Sequence, residues 1–380
     1  MTDIGHPGRV GPLSRLIERF HAWRLDKIAS PDFQRWAAKF RLTRPFARHD
    51  SERLYDLVAG FVYSQTLLAC TELGVLETLR NSPQSAEALG DRNDLPADRM
   101  RTLCQAASAI GLMVRLPDDT YRLGNLGAAA VGVPGLDRMI RHHKVFFRDL
   151  ADPVALLRRE TDTELSRFWP YVMGEAEARD HEIAAEYSDL MATSQELVAE
   201  ETLDAVPLTG IARLLDVGGG TGVFLENVAA RYPEMELHLM DLPAVIDAAR
   251  GRLPASTRIT MTGGSFLDDR LPAGADGISL IRVLYDHDDP TVEMLLGRVF
   301  DALPPGGRVI VSEPMSGGSR PSRAGDAYFG FYTMAMTTGR PRSAAQHLEL
   351  LSAAGFTGLR AHSTARPFLT SAVSGRKPEV

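Results

Sequence analysis

Residues 216–222 read Asp-Val-Gly-Gly-Gly-Thr-Gly. They begin with the last two residues of a short apolar run, 212–217, and are followed by a segment with helical periodicity, 223–231. A strand, a glycine turn and a helix in this order begin the nucleotide-binding half of many α/β folds. A dinucleotide fingerprint would place a third small residue at position 223, where this chain has Val223. The spacing is instead Asp-x-Gly-x-Gly-x-Gly, which favours a ligand other than a dinucleotide.

The acidic residue before the glycines constrains the charge of that ligand. Asp216, placed beside the loop, would repel a pyrophosphate but suits a cofactor that carries an ammonium and a sulfonium. Gly218 and Gly220 let the backbone approach the ligand closely and tolerate positive φ. Asp241 closes the second strand about 20 residues further on, where a carboxylate accepts ribose hydroxyl groups. A helix N-cap at Asp241 is a simpler interpretation and is compatible with that role.

Strand-length apolar runs alternate with helical segments from residue 211 onward. The runs are 212–217, 237–240, 259–261, 277–281 and 308–312. This alternation predicts an α/β fold with a mainly parallel, Rossmann-like sheet covered by helices on both faces. Ligands of such sheets lie beyond the carboxyl ends of the strands, which is where the glycine loop falls.

The sequence before this sheet is mostly helical. Apolar residues recur at three- and four-residue steps from 51 to 76, and 115–123 reads as two short strands around a turn. Helices followed by a small hairpin predict a winged-helix-like module. We interpret it as a dimerisation or packing element, because acidic residues are mixed with its arginines. The predicted domains are therefore 51–200 and 201–380.

Residues 1–50 form a separate basic arm with ten Lys or Arg against five Asp or Glu. Its apolar residues recur at helical spacing with arginines between them, which predicts an amphipathic helix with a cationic face. The apolar stripe either packs on a partner subunit or the chain's own body, or lies on an anionic membrane. Its members are Leu13, Leu16, Ile17, Phe20, Trp23 and Ile28.

Bulk properties exclude several classes of function. The chain has 380 residues and a formal net charge of -7, which argues against a nucleic-acid binder. It has no run of about 18 apolar residues, and residues 1–12 lack the apolar stretch of a secretory signal. The only cysteines, Cys70 and Cys104, lie in no metal-binding motif, so we expect no metal. A cytoplasmic location follows, with attachment to the inner membrane surface as an option.

Together these motifs resemble the class I S-adenosylmethionine-dependent methyltransferases, specifically the plant-type O-methyltransferases with an N-terminal dimerisation domain. The resemblance covers roughly residues 51–375 and rests on LVAGFVYSQTLLACTELGVLETL, LLDVGGGTG, the MDLP turn and GRVIVSEP. It implies S-adenosylmethionine as the cofactor and a homodimer. It also implies a set of cofactor-binding residues, which are Asp216, Gly218, Gly220, Asp241 and Leu242 in the two turns, with Ser265, Phe266 and Arg282 around the adenine and methionine ends.

The chain departs from that family at two positions. The family has an aspartate in the turn after the third strand, where this chain reads Gly264-Ser265-Phe266, so adenine recognition would depend on a neutral hydroxyl. The family's general-base histidine matches Tyr285 here, within the segment RVLYDHDD. Tyrosine has an ordinary pKa of about 10 and is a poor base at neutral pH.

A closer resemblance is to the bacterial carotenoid O-methyltransferases that act on hydroxyneurosporene and demethylspheroidene. It rests on RVLYDHDD, ISLIRV, SEPMSGG, DAYFGFYTMAMTTGRPRS and the basic arm with SPDFQRWAAKF. It implies a tertiary hydroxyl at the end of an acyclic polyene as the acceptor. The tyrosine-bearing segment is also similar to bacteriochlorophyllide methyltransferases, which methylate a ring carbon.

Two further functions are compatible with parts of the sequence. Activity as a phenol O-methyltransferase is disfavoured, because the chain has Tyr285 where the family has its general-base histidine. A cofactor-binding regulator that uses a winged helix on DNA is disfavoured by the complete glycine loop and the acidic net charge.

Four residues are predicted to serve the acceptor. We expect Tyr285 to hydrogen-bond the acceptor hydroxyl, with Asp286 or His287 as the proton sink. Glu313 ends a strand at the ligand edge and either orients a base or pairs with an arginine. Structural roles compete with these assignments, since Tyr285 could close the pocket wall and His287 could be a solvated turn residue.

Large apolar side chains are concentrated between residues 326 and 336, and they are too many for one helical stripe. The excess either lines a long hydrophobic tunnel for a small hydrophobic substrate or packs in the core.

Overall fold

The computed structural model describes residues 12–168, 194–253 and 259–379. Its contacts divide the chain into two compact units, Met1–Gly127 and Ala128–Val380. This division falls inside the predicted domain 51–200, so the predicted limits of the domains stay a prediction. Residues 1–11 of the basic arm and 169–193 of the predicted helical stretch lie outside the described residues.

The first unit is mainly helical. Its strands β1 (Gln84–Ser85), β2 (Met113–Arg115) and β3 (Thr120–Leu123) form an antiparallel sheet in the order β1-β3-β2. The predicted hairpin at 115–123 is therefore present, with its first strand beginning at Met113. The helices are α1 (Pro12–Ala29), α2 (Pro31–Lys39), α3 (Arg44–Glu72), α4 (Val75–Asn81), α5 (Ala86–Arg92) and α6 (Ala97–Ala109).

Helices α1 and α3 carry exposed apolar side chains, and the described part of the arm is helical over Pro12–Ala29 and Pro31–Lys39, as its periodicity predicts. The exposed members include Leu13, Leu16, Phe20 and Trp23 on α1, and Leu54, Leu57, Val58 and Phe61 on α3. Within the described residues no single helix is long and apolar enough to cross a membrane. Helices α3 and α4 pass that test only as a pair, with a bend of 63° between them.

The second unit contains a seven-stranded sheet in the order β6-β5-β4-β7-β8-β10-β9. Strands β4 to β8 are parallel and coincide with the five predicted strands, whereas β10 runs antiparallel to both β8 and β9. The strands are β4 (Arg213–Val217), β5 (Glu236–Asp241), β6 (Ile259–Gly263), β7 (Gly277–Ile281), β8 (Arg308–Glu313), β9 (Thr357–His362) and β10 (Ser371–Arg376). The α/β fold predicted from the alternation is thus confirmed.

Helices cover both faces of this sheet because its central strands are apolar on both sides. Strand β7 is buried along its whole length, and two apolar clusters of buried residues lie against the sheet. Helices α10 (194–205), α11 (Val223–Arg231), α12 (Pro243–Arg252), α13 (Asp289–Ala302) and α15 (Ala344–Ala353) contribute to these clusters. The other described helices after residue 124 are α7 (Asn125–Gly132), α8 (Leu136–Asp149), α9 (Pro153–Leu157) and α14 (Gly330–Ala335).

The aromatic run at 326–336 is not one regular helix. It begins as a π-helix, Arg323–Phe329, and continues as α14. Tyr332 and Met336 are buried against Val145 and Phe146 of α8, so part of the run packs in the core. π-Helical turns are rare and frequently occur at functional sites, because they change which residues share a helix face.

Candidate active site

The glycine loop joins β4 to α11 at the carboxyl edge of the sheet. Gly218, Gly220 and Gly222 have φ of 69°, 59° and 85°, which L-residues with a side chain rarely adopt. The Gly218 N–H donates to the Met240 carbonyl at 2.8 Å, which fastens the loop to β5. A Cβ atom on Gly220 would meet nothing within 4 Å, so the backbone faces open space there.

Asp216 is fully buried under this loop. Its Oδ1 accepts a hydrogen bond of 2.6 Å from the Ser279 hydroxyl, and its Oδ2 has no partner among the described residues. Burial raises the pKa of Asp216 to about 7, and the charge of Asp241 adds to this. A Cβ on Gly219 would lie 2.3 Å from Asp216 Oδ2, so glycine is required at that position.

Asp241 links the loop to the second turn. Its Oδ2 accepts from the Gly220 N–H and its Oδ1 from the Leu242 N–H, both at 2.7 Å. Burial raises its pKa to about 6, while these two hydrogen bonds oppose that shift. The N-cap of α12 is Leu242 and not Asp241, so the interpretation of Asp241 as an N-cap is wrong. A carboxylate has about four lone-pair positions, so Asp241 retains acceptor capacity for hydroxyl groups.

The turn after β6 contains the predicted adenine residues. The Ser265 N–H donates to Asp269 Oδ2 at 2.9 Å, and its hydroxyl accepts from the Leu267 N–H at 3.1 Å. Phe266 is half-buried, and its ring meets the His287 ring edge to face at 5.3 Å between centroids. His287 is therefore a half-buried neighbour of Phe266 and not a fully solvated turn residue.

Arg282 immediately follows β7 in a strained conformation. Its φ is 59°, unusual for a residue other than glycine, and its N–H donates to the Ser312 carbonyl at 2.8 Å. Its guanidinium donates to Ser194 Oγ at 2.9 Å and hydrogen-bonds the Tyr285 hydroxyl. The next residue, Val283, would be 2.9 Å from a Cβ on Gly218, so this segment lies directly against the glycine loop.

Tyr285 and Asp286 form a short 3-10 turn, Leu284–Asp286, with buried side chains. Burial and the neighbouring carboxyls of Asp286 and Glu313 raise the pKa of the Tyr285 hydroxyl well above its ordinary value. Burial also raises the pKa of Asp286, and Glu313 adds to that shift. The Tyr285 hydroxyl therefore keeps its proton near pH 7 and acts as a hydrogen-bonding group, while burial favours the protonated form of the Asp286 carboxyl.

Glu313 positions this turn. Its Oε1 accepts from the backbone N–H groups of Val283 at 3.0 Å and Leu284 at 2.8 Å. Burial raises its pKa to about 7 despite those hydrogen bonds. The structure thus brings together Tyr285, Asp286 and Glu313, while His287 contacts Phe266.

Arg342 was not predicted from the sequence. It is fully buried and donates to the carbonyl oxygens of Leu284 at 2.8 Å and His287 at 2.9 Å, and to Asp289 Oδ1 at 2.6 Å. It therefore fixes both ends of the turn that carries Tyr285. Only its position after a proline, in the segment RPRS, marked it in the sequence.

Two histidines of α8 were not predicted either. His142 Nε2 lies 2.9 Å from the Tyr332 hydroxyl oxygen, and His143 Nε2 lies 2.7 Å from that of Tyr328. Burial lowers the pKa of both histidines, that of His142 to about 4. The partners are 190 and 185 residues apart in sequence, so spacing provided no signal for either pair.

The loop and its two acidic residues fit one kind of cofactor. A buried carboxylate oxygen without a partner at Asp216 suits an ammonium group, and the open backbone at Gly220 allows close approach. Asp241 offers acceptors for a ribose. This fold and site define a class I S-adenosylmethionine-dependent methyltransferase.

Comparison with known proteins supports that class. A family model described as the O-methyltransferase domain matches residues 147–357. Demethylspheroidene O-methyltransferase of Cereibacter sphaeroides is 52% identical over 100% of this chain and 99% of its own length, and that of Rhodobacter capsulatus is 46% identical over 98% and 91%. The crystal structure of human N-acetylserotonin methyltransferase in complex with S-adenosylmethionine has the same fold, with a TM-score of 0.75 and 23% sequence identity. The match covers 87% of this chain and 98% of the human chain. The chain belongs to the O-methyltransferase family and is an S-adenosylmethionine-dependent enzyme.

Proposed function

We propose that this enzyme transfers a methyl group from S-adenosylmethionine to the tertiary hydroxyl of an acyclic carotenoid, demethylspheroidene or hydroxyneurosporene. The observation that carries the proposal is the tyrosine at position 285 in place of a histidine base, in a chain that matches two demethylspheroidene O-methyltransferases over almost its whole length. An aliphatic hydroxyl is far less acidic than a phenol, so a base that ionises it in advance would contribute little, and a neutral donor at position 285 is consistent with that acceptor.

The chain's own residues bind the cofactor, orient the acceptor and exclude water. S-adenosylmethionine supplies an electrophilic methyl group attached to a sulfonium. Asp216 would hold the ammonium group, Asp241 the ribose hydroxyls, and Ser265 with Phe266 the adenine. The guanidinium of Arg282 would lie at the methionine end of the cofactor and hold Tyr285 in place. The hydroxyl of Tyr285 would orient the acceptor oxygen for an in-line displacement, in which positioning and desolvation provide most of the rate enhancement.

The aromatic segment 323–336 supports a hydrophobic substrate. Tyr328, Phe329 and Tyr332 form a set of ring contacts, with centroids of Tyr328 and Tyr332 at 5.8 Å. Phe329 also meets Tyr285 edge to face at 6.1 Å. A polyene end seated along these rings would bring its hydroxyl to Tyr285.

The test is a methyl-transfer assay by mass spectrometry with full-length protein, labelled S-adenosylmethionine and detergent-dispersed demethylspheroidene. Bacteriochlorophyllide and a catechol are run in parallel. We expect a labelled methyl ether on the carotenoid alone. Labelling of the tetrapyrrole or the catechol instead would overturn the proposed substrate while leaving the enzyme class intact.

We further propose that the chain is a homodimer paired through the exposed apolar face of α3 and located in the cytoplasm, with α1 on the surface of an anionic inner membrane. Basic residues flank the exposed apolar stripe of α1, as in helices that lie in a membrane interface, and a hydrophobic polyene acceptor would partition into a lipid bilayer. Single exposed apolar side chains are normal on a protein surface, whereas those of α3 recur together on one stretch of the helix, as in a protein–protein interface.

These two surfaces are separable by mutation. Phe20→Ser with Trp23→Ser should abolish flotation with anionic vesicles and leave the sedimentation coefficient unchanged. Leu57→Lys with Phe61→Lys should convert a dimer to a monomer in analytical ultracentrifugation. A monomeric unmodified protein would refute the dimer, and equal flotation with zwitterionic and anionic vesicles would refute the electrostatic membrane contact.

A further inference from the structure

The acceptor's proton needs a destination that Tyr285 does not provide. The hydroxyl of Tyr285 is buried, and its own pKa is raised, so it holds its proton at neutral pH. Burial and the charge of Glu313 raise the pKa of the Asp286 carboxyl beside it. The proton therefore needs an acceptor other than Tyr285, and the aromatic segment that packs beside Tyr285 contains one.

The His142–Tyr332 pair borders this region. Tyr332 is buried, and its ring meets that of Phe329 at 6.5 Å between centroids, while Phe329 meets the ring of Tyr285 at 6.1 Å. The hydroxyl oxygen of Tyr332 is 2.9 Å from His142 Nε2, and the hydroxyl donates to that nitrogen in the neutral tautomer that carries its proton on Nδ1. Burial lowers the pKa of His142 to about 4, so the imidazole is neutral and able to accept a proton over the neutral pH range.

We propose that Tyr332 receives the proton of the acceptor's hydroxyl and passes its own proton to Nε2 of His142. This inference rests on the proposed function. The acceptor oxygen forms its bond to the methyl carbon while the carbon–sulfur bond breaks, and that electron pair stays on sulfur. The positive charge lost from sulfur ends on the His142 imidazolium. Tyr332 is the catalytic residue of this relay, and His142 acts through it as a positioning residue that also stores the proton.

A weakly basic histidine is sufficient for this step. As the carbon–oxygen bond forms, the acceptor oxygen becomes positively charged and its proton becomes strongly acidic. Proton transfer is therefore downhill to an imidazole even when burial weakens it. The groups that face His142 and bear on its charge include His143 on its own helix and Tyr332 on α14.

The neighbouring His143–Tyr328 pair provides a matched control. It has the same chemistry and a similar distance of 2.7 Å, and Tyr328 takes no part in the proposed relay. His142→Gln keeps an acceptor for the Tyr332 hydroxyl but cannot store a proton, whereas His143→Gln makes the equivalent change outside the relay.

The experiment measures single-turnover methyl transfer by full-length protein at saturating cofactor and acceptor. Folding is checked by thermal unfolding, and S-adenosylhomocysteine affinity by calorimetry. We expect His142→Gln and Tyr332→Phe to lower the rate about 100-fold with cofactor affinity unchanged, and His143→Gln to stay within about twofold. The solvent deuterium isotope effect of the unmodified protein should disappear in His142→Gln.

A second readout does not depend on turnover. In protein with ¹⁵N-labelled histidine, Tyr332→Phe should shift the His142 Nε2 resonance and leave that of His143 in place. The relay is refuted if His142→Gln retains the unmodified rate, or if His143→Gln is equally slow. A wrong substrate would show itself differently, as inactivity of the unmodified protein toward the carotenoid, and the same variants would then be measured on the acceptor that is methylated.

Discussion

The Ser279 hydroxyl donates a 2.6 Å hydrogen bond to Oδ1 of Asp216, and both side chains are completely buried beneath the glycine loop. The second oxygen of Asp216 has no partner among the described residues. A buried carboxylate that is only half satisfied is costly for a protein alone, but it is a preformed site for a cationic ligand.

Asp216→Asn should stabilise the ligand-free protein at pH 8 and weaken S-adenosylhomocysteine binding about 10- to 100-fold. The folded-state pKa of about 7 exceeds the ordinary value of 3.8. Such a group contributes stability below pH 4 that is lost as the pH rises to about 7, a loss of about 4 kcal/mol at most. Thermal unfolding from pH 5 to 8 and calorimetry measure both effects. A less stable variant with unchanged affinity would contradict the assignment.

Gly219→Ala should destabilise the protein by about 1–3 kcal/mol and abolish cofactor binding. The new Cβ would lie 2.3 Å from Asp216 Oδ2 and 2.5 Å from Leu239 Cδ1, so the loop must move. Gly251→Ala on α12 is the control, because its Cβ would meet nothing within 4 Å and helical alanine is favourable. Denaturant unfolding distinguishes them, and equal stability of the two variants would contradict the steric argument.

Glu313→Ala should lower the free energy of unfolding by about 2–4 kcal/mol, because two buried backbone N–H groups lose their acceptor. Glu313→Gln keeps an acceptor oxygen and should fold normally. It also removes the charge that raises the pKa of Asp286, which should therefore fall in this variant. Thermal unfolding and the pH dependence of the single-turnover rate test these outcomes. Equal destabilisation by both substitutions would indicate that the charge of Glu313, and not its hydrogen bonding, supports the turn.

Arg342→Lys should lower stability by about 2–4 kcal/mol and reduce turnover, since a lysine cannot reach two carbonyl groups and Asp289 together. Arg340→Lys is its matched control. Arg340 pairs with the same Asp289 but is half-exposed, and such pairs contribute little. Unfolding and activity of the two variants are compared. A larger effect at Arg340 would contradict the role assigned to Arg342.

The strand, the glycine loop and the position of Asp241 beside that loop were predictable, because their signals are local in sequence. The strand, the glycines and Asp241 lie within one β-α-β unit, and the carboxyl ends of parallel strands necessarily meet at one edge of the sheet. Strands β9 and β10 were not predicted. Their antiparallel pairing beside β8 depends on contacts that hydrophobic periodicity does not specify.

The sequence by itself determined the class of fold, the cofactor loop and the position at which Tyr285 replaces a histidine. Only the tertiary structure decided which groups surround that tyrosine. Arg342 reaches the turn from 55 residues beyond His287, and His142 meets Tyr332 across 190 residues. Neither contact follows from residue spacing, because each is formed when separate elements pack and their buried polar groups must find partners within the interior.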